Sequence, residues 1–128
     1  MTDQNATGFT STTGALTHLD LEAGYVTIVN TYEVDPERAE ELLDFLVESG
    51  RTTLRHVPGF VSANLHVSFD SRKIVNYAQW ENEAAIAAAR DNADVAALIE
   101  KQASIAASFQ PVLYRLRATI PAASSTDA

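Results

Sequence analysis

The chain has 128 residues and 46% apolar content, which is enough for one globular domain. Its net charge of −8, with no run of Lys or Arg, argues against nucleic acid or an anionic membrane as a partner, because both require a basic patch. The lack of cysteine excludes disulfides and thiolate chemistry, and the three histidines have no metal-ligand spacing. No apolar run approaches the length of a membrane span. We expect a soluble, cytoplasmic protein.

The two ends differ in composition from the middle. Residues 1–14 are rich in Thr, Ser, Asn and Gly without periodicity, and the last residues are again small and polar. We therefore expect a flexible leader over 1–23, one domain over 24–120 and a tail over 121–128. Leu16, Leu19 and Leu21 could dock the leader against the domain or a partner subunit.

The first half of the domain reads as strand, helix and turn. Tyr25 to Val34 alternates as a strand, with Asn30 and Tyr32 on the same face. Asp35-Pro36 then predicts a helix start, because Asp suits the N-cap and Pro the first helical position. We expect this helix to reach about Arg55, before the Pro58-Gly59 turn. Its predicted buried stripe is Ala39, Leu42, Leu43 and Leu46.

The second half repeats this order. Phe60 to Ser68 and Lys73 to Trp80 alternate as two strands, and the polar residues between them predict a hairpin. Asn82 can cap a short alanine-rich helix, and Asp94 a longer one. Pro111 to Ile120 reads as the last strand. The apolar stripe of the longer helix is Val95, Leu98, Ile99, Gln102, Ile105, Ala106 and Phe109.

The order βαββαβ predicts an α+β fold of the ferredoxin-like type, a four-stranded antiparallel sheet with helices on one face. The strands carry apolar or aromatic residues on both sides, as at Tyr25 and Val29 opposite Val26 and Ile28. The face without helices therefore needs another cover, and a second sheet from a homodimer would supply one.

Asn76-Tyr77-Ala78-Gln79-Trp80 is the segment most indicative of function. Alternation along the strand puts Asn76 and Trp80 on one face, so a neutral amide and a large aromatic surface meet the same space. A buried amide must find hydrogen-bond partners or cost free energy, which favours a site for a flat, weakly polar ligand. Core packing of the Trp is the simpler alternative.

The segments Pro58-Gly59-Phe60 and Asn76 to Glu81 closely resemble the antibiotic biosynthesis monooxygenase family of dimeric α+β barrels. Within it, they are most similar to the cofactor-independent anthrone oxygenases of aromatic polyketide pathways. The resemblance covers residues 24–120. It implies an enzyme that needs no cofactor, a small aromatic substrate and O2 as its partners, and a homodimer.

The resemblance also implies site residues. An Asn and a Trp at the places of Asn76 and Trp80 line the substrate cavity in those oxygenases, and a His lies at the place of His66. A Tyr and an Arg of the second helix fall at Ile86 and Ile99, which departs from their pattern and leaves the proton-transfer groups open. Tyr32, Tyr77 and Tyr114 are the hydroxyls that could replace the lost Tyr.

The implied reaction oxidises a phenol or anthrone to a quinone, because a deprotonated phenolic substrate can itself give an electron to O2. Trp80 would hold the rings and Asn76 would donate to the oxyanion. His66 would act as base or proton shuttle. A three-residue reversal would put His66 across from Asn76, and a shift by one residue would turn it to the other face.

Two other functions stay open. Asn30 and Asn76 with Trp80 could bind a ring without oxidising it, as in a small-molecule binding protein, or serve a quinol monooxygenase of stress metabolism. Haem-degrading members of the family share an Asn and a Trp that match Asn30 and Trp80. They also need an axial His on the second helix, and residues 82–110 contain none, which disfavours haem degradation.

Overall fold

A computed structural model of the protein describes residues 15–124. Within them, four strands form one antiparallel sheet: β1 (Val26–Glu33), β2 (Phe60–Val67), β3 (Lys73–Trp80) and β4 (Ser108–Arg115). Their order across the sheet is β2-β3-β1-β4, which confirms the predicted ferredoxin-like topology. The outer parts of the predicted leader and tail, residues 1–14 and 125–128, lie outside the described residues.

Three helices connect the strands: α1 (Ala39–Thr52), α2 (Glu83–Arg90) and α3 (Ala93–Ile105). A 3-10 turn at Pro36–Arg38 leads into α1, and the Asp35 carboxylate accepts from the backbone N–H of Glu37 as predicted for a cap. A second 3-10 turn, Leu54–His56, follows α1, so the α-helix is shorter than predicted. The predicted buried stripe of α1 is confirmed.

Four predicted boundaries in the second half are wrong. The helix α3 ends at Ile105 rather than near Phe109, and β4 ends at Arg115 rather than Ile120. Asn92, not Asp94, caps α3, because its side-chain oxygen accepts from the backbone N–H groups of Asp94 and Val95. The last strand begins at Ser108, three residues before Pro111, because Glu33 at the end of β1 pairs with Ser108. Pro111 lies inside β4, where an edge strand tolerates its missing N–H.

The helices cover one side of the sheet, called here the helix face, where Val26, Ile28, Asn30 and Tyr32 of β1 point. Two apolar clusters fill the space beneath the helices. The larger one joins Tyr32 and Ile74 to α1 and the end of α3. The smaller one gathers around Trp80, Ile86 and Ala89 and includes these partly buried residues: Val26, Ile28, Leu54, Val57, Phe60 and Ala85.

The other side of the sheet, called here the open face, carries the described part of the leader. The Thr17 hydroxyl donates to Asn64 Oδ1 at 2.6 Å, and Gln79 Nε2 donates to the His18 carbonyl at 2.8 Å. The leader thus crosses β2 and β3. Its apolar side chains do not enter this contact, because Leu16, Leu19 and Leu21 are 89%, 50% and 49% exposed. Their docking against a partner subunit stays a prediction.

Gly59 sets the approach of β2 to α2. Its φ of +86° is a conformation that side chains with a Cβ rarely adopt, and a Cβ at this position would overlap the Cβ of Ala85. The Gly59 carbonyl accepts from the backbone N–H of Glu81, which ties the turn to the end of β3. A bulge between Phe60 and Ser62 follows at once. No helix within residues 15–124 is long and apolar enough to cross a membrane.

Candidate active site

Two asparagines lie directly opposite each other in the middle of the sheet. The antiparallel register of β1 and β3 pairs Asn30 with Asn76. Side chains paired in this way have Cβ atoms about 4.5–5.5 Å apart and share one face. Both amides therefore point to the helix face, between the Tyr32 cluster and the Trp80 cluster. They form a polar seam between two apolar regions.

The seam holds two unsatisfied hydrogen-bond acceptors. The Oδ1 atoms of Asn30 and Asn76 are both buried, and neither has a hydrogen-bond partner among the described residues. Native proteins leave few buried polar atoms unpaired, because each one costs the free energy of its lost hydration. Two such atoms on paired residues are candidate hydrogen-bond acceptors for a ligand.

A chain of hydrogen bonds fixes one of these amides. Asn30 Nδ2 donates to the Tyr32 hydroxyl at 3.0 Å, and this hydroxyl donates to Gln102 Oε1 at 3.0 Å. Burial raises the pKa of Tyr32 well above its usual value, by more than the hydrogen bond to Gln102 lowers it. Tyr32 is therefore a neutral hydrogen-bonding group near neutral pH and does not act as a base.

Trp80 and its neighbours form the apolar side of the site. Trp80 is 7% exposed, and the Phe60 ring meets its indole edge to face, with centroids 5.3 Å apart and an interplanar angle of 85°. The bulge in β2 returns Phe60 to the helix face, opposite Trp80. Ile86 of α2 packs in the same cluster. The predicted common face of Asn76 and Trp80 is confirmed by the register, which pairs them with Asn30 and Val26 on the helix face of β1.

Three of the predicted site residues lie on the open face instead. Tyr77 and Tyr114 line a pocket of about 300 Å³ there, together with Arg115 and Arg117. His66 is exposed and pairs with Val75, because the register places Leu65 opposite Asn76. The alternative in which His66 faces Asn76 is therefore wrong, since Ser68 pairs with Lys73 and the reversal takes the four residues 69–72 rather than three.

Ile99, the remaining predicted contact, lies on α3 and is 37% exposed. The structure thus brings five of the nine predicted residues to the helix face, and these are Asn30, Tyr32, Asn76, Trp80 and Ile86. It separates them from His66, Tyr77 and Tyr114 by the thickness of the sheet.

The sequence profile of the antibiotic biosynthesis monooxygenase family matches residues 25–101, from the start of β1 into α3 and more than half of the chain. The chain belongs to this family. The family that the hairpin residues indicated is confirmed, and with it the expectation of a monooxygenase fold and class. All five residues gathered on the helix face fall within the matched range.

Several of the similar proteins come from Streptomyces. Tetracenomycin-F1 monooxygenase of Streptomyces glaucescens is 52% identical over 58 residues, which are 45% of this chain and 52% of that protein. The chain therefore matches about half the length of this relative. The crystal structure of a monooxygenase from the ActVA-Orf6 gene of Streptomyces coelicolor, in complex with nanaomycin D, is 30% identical with a TM-score of 0.70. The alignment covers 80% of this chain and 96% of that one.

SnoaB, a cofactor-independent oxygenase from Streptomyces nogalater, has the same fold. Its TM-score is 0.67 at 22% identity, over 77% of this chain and 99% of that chain. These comparisons agree with the fold described above, a four-stranded sheet with helices on one face.

Gln102 is the residue of this candidate site that sequence reasoning assigned only to the core. It is 7% exposed on α3 and accepts the hydrogen bond of Tyr32. A signal was present, because a Gln in an otherwise apolar helical stripe needs a buried polar partner. Within residues 15–124, no three His, Asp or Glu side chains come together in a way that could hold a metal ion.

Proposed function

We propose that the protein is a cofactor-independent monooxygenase that uses O2 to oxidise a phenolic polycyclic substrate, such as a hydroxylated anthrone, to a quinone. The observation that carries this proposal is the pair of unsatisfied amide oxygens on the same sheet face as the single tryptophan of the chain. Family membership and the name of the relative from Streptomyces glaucescens support the same class of reaction.

The proposed reaction draws its electrons from the substrate. Loss of a proton from the CH2 carbon of an anthrone gives an enolate that can pass one electron to triplet O2. Superoxide then combines with the substrate radical at that carbon, forming a C–O bond, and protonation gives a hydroperoxide. Loss of water from this hydroperoxide leaves a C=O group. The balance is CH2 plus O2 giving C=O plus H2O, so no other reductant is needed.

The chain's residues would assist by holding and stabilising the substrate. Trp80 and Phe60 supply an aromatic wall for a flat ring system. Asn76 would donate its Nδ2–H to the enolate oxygen, where charge develops. Burial under α2 would keep water from the rings while O2 adds. His66 takes no part in this proposal, because it lies on the open face.

We also propose that the protein acts as a homodimer through the open face. Val112 and Tyr114 of the edge strand lie on this face and are 38% and 51% exposed, and the leader adds three exposed leucines. A second copy would cover these apolar side chains. Analytical ultracentrifugation should give twice the protomer mass of 13.8 kDa, and a monomer at micromolar concentration would contradict the proposal.

The test of function is oxygen uptake by chelator-treated protein supplied with a hydroxylated anthrone, after subtraction of the spontaneous rate. We expect protein-dependent uptake with formation of the quinone. Uptake no faster than the spontaneous rate, across several anthrones and quinols, would refute the oxygenase and favour a binding protein.

Asn76→Ala separates chemistry from binding in this assay. Removing one donor to a developing oxyanion costs about 10²-fold in kcat, so we expect a loss in kcat well above the change in KM. Asn64→Ala is a matched control, because Asn64 lies on the open face of the neighbouring strand. Equal loss of activity in both variants would contradict the role given to Asn76.

A further inference from the structure

We propose that the Oδ1 atoms of Asn30 and Asn76 together select ligands that carry free hydroxyl groups, and we call this pair of acceptors the filter. Gln102 and Tyr32 are positioning residues, because they fix the orientation of the Asn30 amide. The inference rests on the proposed function, because it concerns the ligands of the same site. It adds the chemical property by which that site would tell a phenol from an ether or a quinone.

The direction of the hydrogen-bond chain is the first step. A tyrosine hydroxyl has one proton, and Tyr32 gives it to Gln102 Oε1. Toward Asn30 the hydroxyl can then only accept, which it does from Nδ2. If the Asn30 amide turned over, its Oδ1 would meet an oxygen with no proton left to donate. Gln102 therefore fixes the Asn30 amide through Tyr32.

The second step follows from this fixed orientation. With Nδ2 engaged, Oδ1 of Asn30 is the free end of the amide, and it is buried without a partner. Asn76 of β3 pairs with Asn30, and its Oδ1 is also buried without a hydrogen-bond partner among the described residues. Two acceptors on neighbouring strands thus face the space between the Tyr32 and Trp80 clusters.

Two acceptors discriminate between oxygen types. A phenolic hydroxyl can donate to Oδ1, whereas an ether or quinone oxygen has only lone pairs and leaves the acceptor unsatisfied. Sites built to hydrogen-bond a hydroxyl strongly reject analogues that lack it, because the buried polar group is then left unpaired. The proposed reaction changes a CH2 group and leaves the ring hydroxyls in place, so the filter would act on the ring hydroxyls that substrate and product share.

The experiment compares 2,6-dihydroxyanthraquinone with 2,6-dimethoxyanthraquinone by calorimetric titration of the full chain. Both compounds are already oxidised, so binding is measured without turnover. We expect the dihydroxy compound to bind about tenfold or more tightly, which corresponds to one good hydrogen bond. Equal affinities, tighter binding of the ether, or no binding of either compound would overturn the inference.

Variants separate the filter from the greater bulk of the methyl ether. In Tyr32→Phe and Gln102→Leu the Asn30 amide is free to turn, so the affinity ratio should fall while the Asn76 acceptor and the shape of the site are kept. Gln102→Glu still offers an acceptor to Tyr32 and should keep the ratio. Gln110→Leu, an exposed position of β4, is the control that should also keep it.

The outcomes distinguish this inference from the proposed function. Selective binding without oxygen uptake would support the filter and refute the oxygenase. Oxygen uptake with equal binding of both compounds, or a ratio unchanged in folded Tyr32→Phe and Gln102→Leu, would refute the filter and leave the oxygenase standing. Circular dichroism of each variant establishes that it is folded.

Discussion

Replacing Asn76 by Leu should make the ligand-free protein more stable. The buried Oδ1 of Asn76 has no hydrogen-bond partner in the described part of the chain, so the native state carries the cost of its lost hydration. Leu has a similar volume and suits the apolar clusters on either side of the seam. A substitution that raises stability and lowers activity indicates that the original residue serves binding rather than folding.

The magnitude follows from the burial of one unsatisfied acceptor. Such an atom costs about 1–3 kcal/mol, and the lower part of this range applies because the rest of the Asn76 side chain is partly exposed. A gain of about 1–2 kcal/mol in a chain of this size raises Tm by about 3–8 °C. Scanning calorimetry at one fixed protomer concentration measures this shift, since Tm of an oligomer depends on concentration.

Asn64→Leu is the comparison that makes the result decisive. Asn64 Nδ2 donates to the Tyr77 carbonyl at 3.0 Å, and its Oδ1 accepts from the Thr17 hydroxyl at 2.6 Å. Removing these bonds should lower the free energy of unfolding by about 1–3 kcal/mol. If Asn76→Leu lowers Tm as Asn64→Leu does, the Asn76 amide is a satisfied structural group and the reasoning fails.

Two further predictions concern other parts of the fold. Gly59→Ala should lower the free energy of unfolding by about 2–4 kcal/mol, because it combines a positive φ with overlap against Ala85. Gly50 lies inside α1, and a Cβ added there would meet open space, so Gly50→Ala should instead raise the free energy of unfolding by about 0.5–1 kcal/mol. Urea titration measures both variants, and equal stabilities would contradict the packing described for Gly59. Tyr32 has a raised pKa in the folded state, so above about pH 10 the unfolded state ionises first and stability should fall as pH rises. Tyr32→Phe should be less stable at neutral pH, but its free energy of unfolding should depend less on pH above about pH 10. An unchanged pH dependence in this variant would show that ionisation of the buried hydroxyl does not cause the loss of stability at alkaline pH.

Much of the fold could be predicted from local patterns. The alternation along β3 placed Asn76 and Trp80 on one face, because the side-chain period of a strand leaves no other choice. The end of α3 and the start of β4 were predicted less well, since the pairing of Glu33 with Ser108 sets that boundary and is a tertiary contact.

The position of the polar seam could not be predicted from the sequence of a single strand. The pairing of Asn30 with Asn76 requires the strand order and register of the folded sheet. The face of His66 depends on the length of the turn that precedes β3, and a change of one residue there reverses it. Gln102 joins the site only because α3 packs over Tyr32.

The most direct test of monooxygenation is isotope incorporation from ¹⁸O2. Chelator-treated protein and a hydroxylated anthrone react under ¹⁸O2, and mass spectrometry of the quinone is corrected for the spontaneous reaction measured without protein. We predict one ¹⁸O atom in the new carbonyl of each enzymatically formed quinone, with the second atom released as water. Enzyme-dependent quinone whose new oxygen comes from water would contradict the account, because O2 would then serve only as an electron acceptor.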